Sequence, residues 1–328
     1  MLPLNLFYEE PEGDRWLPYD RYPRRVVRRI VRGAPRPSGQ RMVMINLCSG
    51  LRQLGIPYRL NDYGYAKKHP EETVCILGKS QVLLQTRWEN PILLGPSIEC
   101  HPLDVPDLLE RAPIERIVLP GPWVTDMCNP YWGGLVTSWP VGIDTDKWAP
   151  VVAKRKTIDV LIYDKVRWFH DRFETLLLAP IRAELARRGL RVEEIRYGYY
   201  REQEYLEMVK SSRAVVFLCE HETQGLAYQQ ALSCDVPMFA WDRGGYWQDP
   251  AYFPERFMYE PVTSVPYWDD RCGSKFEDIA QFSADLDSFL SGVEEEKFRP
   301  RSYVLENLTL AKCARAYNEI ARGVGAGR

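Results

Sequence analysis

Residues 218–242, LCEHETQGLAYQQALSCDVPMFAWD, gather Glu220, His221, Glu222 and Gln224 where a strand ends, then place Gly225, then open a helix. Polar groups crowded at the carboxyl end of a strand are what an open α/β sheet presents to a ligand. Gly225 lets the backbone come close to such a ligand, and the amides of Gly225 and Leu226 lead a helix whose N-terminus favours an anion. A second group lies in LLGPSIECHPLD, 93–104. There a strand ending at Gly95-Pro96 brings Ser97, Glu99 and His101 toward a cleft, with His101 able to donate to a phosphate oxygen.

Holding these groups requires sheets, and the chain supplies two series of strand-length apolar runs. The first comprises 4–8, 58–62, 73–77, 91–95 and 116–120; the second comprises 158–163, 191–198, 214–219 and 237–241. Helical segments are expected at 41–54, 168–189, 201–212, 226–234 and 276–291. Strand alternating with helix argues for mostly parallel sheets covered on both faces, and two series argue for two α/β domains. The pattern is interrupted over 137–157, TSWPVGIDTDKWAPVVAKRKT, so the domains are expected at 1–140 and 141–300. A last helix over 301–323 carries Val304, Leu308, Ala311, Ala314, Tyr317 and Ile320 at helical spacing. That apolar stripe needs a surface, and 301–328 is expected to pack back on the N-terminal domain.

At 328 residues and 45% hydrophobic content the chain exceeds what one core usually serves. Its formal charge of −2 gives no global attraction to nucleic acid. The eight cysteines form no Cys-x-x-Cys pair, and several sit in apolar runs, which favours reduced buried thiols and a cytoplasmic setting. The opening MLPLNLFYEEPEGD lacks the charged and apolar regions of a secretory leader, and no apolar run approaches ~20 residues. One segment is strongly basic: RYPRRVVRRIVRGAPR, 21–36, where arginines alternate with valine and isoleucine. It suits an anionic acceptor, a weak peripheral contact with an acidic inner-membrane face, or a surface helix packed by its valines.

Counting from Glu222, glycine comes at three residues (Gly225), a polar residue at eight (Gln230), alanine at nine (Ala231) and proline at fifteen (Pro237). This spacing resembles the donor-site motif of family 4 glycosyltransferases, Glu-x-x-Gly with Glu-Ala eight residues from the first Glu and Pro-Val beyond. The segment WPVGIDTDKWAP, 139–150, is similar to the NGVDTDRF stretch that leads into the donor domain of that family. The resemblance implies the GT-B fold, two Rossmann-like α/β domains facing each other across a cleft, with an N-terminal acceptor domain and a C-terminal nucleotide-sugar donor domain.

The resemblance also implies roles. Glu222 would lie beside the donor sugar and Gln230 would meet the ribose hydroxyls, although the family usually has Glu at that place and gains a charged acceptor from it. His221, Thr223, Gln224, Gly225 and Leu226 complete the donor loop. The basic pair that the family sets after the first strand of its second domain falls to Lys165, Arg167 or Arg172 in LIYDKVRWFHDR, with Lys165 best placed at the strand end. The glycine turn that approaches the diphosphate falls to Ser38, Gly39 and Gln40. The implied activity is sugar transfer from a nucleotide-sugar, with retention, to a glycan, a lipid-linked acceptor or a small molecule. The resemblance implies metal independence as well, and the Asp-x-Asp strings at 144–146 and 285–287 agree with it, falling in the linker and a helix. The donor is then a substrate, and no cofactor is expected. The readings that compete are an epimerase or phosphorylase on the same fold and a non-catalytic partner that binds nucleotide-sugar.

Overall fold

The computed structural model describes residues 2–9, 23, 38–78, 82–83, 86–96, 98–151 and 156–325. The chain forms two compact units: Met1–Pro120 with Cys128–Trp139 and Cys313–Arg328, and Gly121–Met127 with Pro140–Lys312.

The first unit carries strands β1 (Leu4–Tyr8), β2 (Tyr58–Leu60), β3 (Val74–Leu77), β4 (Ile92–Leu94), β5 (Ile114–Leu119) and β6 (Val136–Ser138). They form one parallel sheet in the order β2-β1-β3-β4-β5-β6. Interleaved with them are helices α1 (Gly39–Gln53), α2 (Tyr63–Lys68) and α3 (Leu108–Arg111); helix α4 (Pro122–Trp132) begins in the second unit and from Cys128 onward belongs to the first. Every residue of β1, β3 and β4 is buried. Such strands read as unbroken apolar runs because both faces are covered. Strand β6 was not expected: it is a half-buried edge of three residues, Val-Thr-Ser, with no apolar run to announce it.

The second unit holds β7 (Ile158–Asp164), α5 (His170–Phe173), α6 (Ala179–Arg187), β8 (Val192–Arg196), α7 (Glu202–Ser211), β9 (Ser212–Leu218), α8 (Leu226–Ser233), β10 (Met238–Trp241), β11 (Gly273–Phe276), α9 (Ile279–Glu294) and α10 (Pro300–Asn307). Its sheet is parallel throughout, in the order β11-β10-β9-β7-β8. One face packs Leu161, Tyr163, Val215 and Phe217 on α7 and α8, and the other packs Val160, Ile162, Val216 and Phe239 on α6 and α9. Strand β11 also lay outside the expected set, its Gly-Ser-Lys-Phe being too polar to read as a strand.

Two expected helices are divided. The helix of 168–189 begins at His170 and widens to a π-helical turn over Glu174–Leu178 before α6. Pro180, in the first turn of α6, has no N–H to give to Leu176, and the wider turn accommodates that loss. The helix of 301–323 is α10 followed by α11 (Leu310–Gly323). Between them Thr309 pairs with Ile143, whose N–H donates to the Leu308 carbonyl at 2.7 Å. Gly142 allows this pairing, since a Cβ there would stand 2.7 Å from Leu310 Cα. From Cys313 onward the chain belongs to the first unit, where Tyr317 is fully buried against Trp139.

No disulfide joins the eight cysteines, of which all but Cys100 are buried. Among the described residues no helix is long and apolar enough to cross a membrane. Apart from Pro23, the basic segment 21–36 lies outside the described residues.

Candidate functional site

In the second sheet the chain leaves β7 for β8 on one side and returns to β9 on the other. The crossovers therefore diverge above the carboxyl ends of β7 and β9 and leave a crevice between them. The two ends are in register, Asp164 beside Leu218, and the Lys165 N–H donates to the Leu218 carbonyl at 2.7 Å. The segments just beyond the two strands meet across this point. Lys165, one residue past β7, donates through Nζ to Glu222 Oε1, four residues past β9. Their side chains are 12% and 8% exposed, so water screens the pair weakly while leaving it within reach. Burial pushes the Lys165 ammonium down, but the Glu222 carboxylate, with Cys219 and Tyr197, outweighs it and holds the group above its ordinary value. The ammonium also lies 4.5 Å from the centre of the Tyr197 ring, a favourable cation–π placement.

Glu220 fixes the loop that carries the second cation. Its Oε1 accepts from the backbone N–H groups of Arg167 and Trp168, both at 2.8 Å. Arg167 in turn reaches His221, with Nη2 3.0 Å from the imidazole Nε2. Three tryptophans surround that imidazole: Trp168 stacked at 4.9 Å, Trp123 edge-on at 5.5 Å and Trp247 edge-on at 6.3 Å. Trp123 also donates through Nε1 to the Glu222 carbonyl at 2.7 Å, and Glu222 N–H donates to the Thr263 carbonyl at 3.0 Å, so the loop is held from both sides. Burial first, then the positive charges of Arg167, Arg243 and Lys165, push the His221 ring well below the usual histidine range. Both effects favour the neutral imidazole.

The remaining residues of the loop after β9 divide. Gly225 caps α8 with φ +78°, and a Cβ there would fall 2.0 Å from the Tyr228 ring, so both backbone conformation and packing demand glycine. Thr223 is exposed, and its carbonyl sits where a Cβ on Gly121 would be only 2.3 Å away. Gln224 is turned into the protein: its Oε1 accepts from Val141 N–H at 3.0 Å and its Nε2 donates to Gln229 Oε1 at 3.0 Å. Leu226 packs on the core. Gln230 is half-buried on the second turn of α8, and among the described residues its side chain makes no hydrogen bond.

The structure brings Lys165, Arg167, His221 and Glu222 together in the second unit. It places His101 and Gly39 in the first. His101 is 1% exposed, and its Nδ1 accepts from Leu103 N–H at 3.1 Å, capping the turn Pro102–Asp104. Its ring stands edge-on to Tyr131. Gly39 begins α1 behind the N-cap Ser38, with nothing within 4 Å of where a Cβ would be, so local packing makes no demand for glycine. Arg172 is one residue from the end of α5.

Several contributors went unread in the sequence. Trp123 lies 99 residues from Glu222, and no local pattern links them. Asp164 had a signal, being the last residue of a strand: buried at 1%, it takes Val166 N–H at 3.0 Å and His170 Nε2 at 2.7 Å and so shapes the turn before Arg167.

No protein-family model matches the chain, and no curated protein sequence does. Solved structures do. Sucrose-phosphate synthase from Thermosynechococcus elongatus superposes with a TM-score of 0.60 at 12% identity, over 100% of both chains. TarM gives 0.53 at 9% identity over 85% of this chain and 58% of its own. The pneumococcal O-GlcNAc transferase GtfA, solved with UDP and GlcNAc, gives 0.50 at 9% identity over 79% and 59%. The architecture is the GT-B fold, two parallel Rossmann-like sheets with flanking helices.

Proposed function

We propose that this chain is a glycosyltransferase that moves a sugar from a nucleotide-sugar donor to an acceptor hydroxyl. The observation that carries the reading is the Lys165–Glu222 pair at the switch point of the second sheet, with Arg167 beside it and the glycine-capped helix α8 next in the chain. Two cations suit a diphosphate, and a carboxylate suits sugar hydroxyls or positive charge developing at the anomeric carbon. The spacing from Glu222 through Gly225 and Gln230 to Pro237 supports placement in family 4, with retention and without a metal. A fold shared with sugar transferases adds support, and GtfA shows UDP and a sugar bound on such a fold.

In this reading Lys165 and Arg167 bind the diphosphate, Glu222 contacts the donor sugar and Gln230 meets the ribose. The acceptor is a glycan, a lipid-linked acceptor or a small molecule, and the enzyme works in the cytoplasm. The test is incubation with labelled nucleotide-sugars in the absence of acceptor. Slow release of free nucleotide and sugar is expected; an isomerised donor would assign the chain to the epimerases, and binding without turnover would make it a non-catalytic binder.

A further inference from the structure

The hydrogen bonds around His221 fix which of its nitrogens carries the proton. Arg167 Nη2 and Trp247 Nε1 both lie 3.0 Å from His221 Nε2. Guanidinium and indole N–H groups can only donate, so Nε2 must be the acceptor that both share. The proton of the neutral ring therefore sits on Nδ1. That atom is buried and, among the described residues, has no hydrogen-bond partner. The ring cannot turn over to exchange its nitrogens without losing both donors, and the indoles of Trp168 and Trp123 hold its plane. Its backbone carbonyl also faces Arg167 Nη2, at 3.4 Å.

Arg167 is held through one terminal nitrogen. Its backbone is fixed by Glu220, and its guanidinium carbon lies 4.7 Å from the centre of the Trp168 ring. A guanidinium anchored at one corner keeps its remaining N–H groups for a planar, two-point contact with phosphate oxygens. We propose that His221 is a positioning residue: as the Nδ1–H tautomer it accepts from Arg167 at Nε2 and aims the guanidinium at a diphosphate, without touching the ligand itself. The proposal rests on the reading of Arg167 as a phosphate ligand. It assigns His221 a different task from donor contact and gives Trp247 the task of locking the tautomer.

Two measurements on the full chain test it. Nitrogen-15 NMR of the imidazole reads the tautomer directly and needs no ligand: a protonated Nδ1 with an unprotonated Nε2 is expected, and a protonated Nε2 or an imidazolium overturns the proposal. The second is a double-mutant cycle of calorimetric titrations with UDP and with inorganic pyrophosphate. His221→Ala is expected to weaken binding about tenfold in the native background and less than about twofold in the Arg167→Ala background. Equal losses in both backgrounds would mean that His221 meets the ligand on its own, which overturns the positioning role. His221→Gln, whose amide oxygen can accept from Arg167, is expected to restore most of the affinity, and it keeps the cycle readable if the alanine variant folds poorly. If the native chain binds neither probe while the tautomer is as assigned, the phosphate reading of Arg167 fails and takes the aiming role with it.

Discussion

In the first sheet the chain leaves β1 for β2 on one side and β3 on the other, as it leaves β7 for β8 and β9 in the second. Each sheet therefore has a switch point at its carboxyl edge, and the two are equipped differently. At the first, the Asn61 amide closes the end of β1, accepting from Tyr8 N–H at 2.8 Å and donating to the Tyr8 carbonyl at 3.0 Å. Gly78 comes directly after β3 with φ +90°, close to the Tyr8 ring and Gln40. Among the described residues no ion pair joins those two strand ends. At the second, a half-buried lysine and a buried glutamate face each other with an arginine and a neutral histidine alongside. Strand order makes a crevice in both sheets; the residues past the strand ends decide which crevice can hold an anion and a sugar.

The contrast between the two switch points breaks most visibly at Glu222. Glu222→Gln keeps the shape of the loop and removes the charge, and transfer is expected to fall by about 10² or more if the carboxylate acts in the transition state. Asn61→Gly, which keeps the left-handed backbone at the first switch point and removes the amide, is expected to lower melting temperature and leave transfer per folded molecule unchanged. Equal losses of transfer from the two variants would erase the distinction.

A pair of glycines sharpens it. Gly225→Ala sets a Cβ 2.0 Å from the Tyr228 ring at φ +78°, and strain plus overpacking should destabilise the fold by about 2–3 kcal/mol. Gly39→Ala, in open space in the first turn of α1, should change stability by less than about 0.5 kcal/mol. Denaturant titration of both variants reads the contrast. A costly Gly39→Ala would show a packing demand at the first glycine after all.

The smallest expected effect is at Gln230. If it meets the ribose, Gln230→Glu should tighten donor binding by about 0.5–1.5 kcal/mol through a charged acceptor. If it lies nearer phosphate, like-charge repulsion should weaken binding instead. Calorimetric titration decides the sign, and unchanged affinity would remove Gln230 from the site.

Much of this was legible in the chain because parallel strands covered on both faces leave continuous apolar runs, as in VCIL of β3 and VLIY within β7. The short edges β6 and β11 were not, since their residues pack on one side and carry polar groups. Glycine at 225 announced a special backbone position, although the Tyr228 ring accounts for it as fully as ligand approach does. The break between α10 and α11 was hidden because the apolar spacing continues through Leu308 while the backbone there turns to pair with Ile143. Lys165 and Glu222 were readable as strand-end residues, but their pairing and the tryptophan cage depend on contacts between distant segments, and a helical or strand period carries no record of those.

A donor bound at the β7–β9 switch point is what the proposed activity requires above all. Hydrogen exchange with and without a panel of nucleotide-sugars tests it most directly, because it reports where backbone amides are protected. With the bound donor, slower exchange is expected at 165–168 and 220–227, and Lys165→Ala should abolish it at the same ligand concentration. Protection that appears elsewhere at saturating donor while these segments exchange unchanged would contradict donor binding at this switch point.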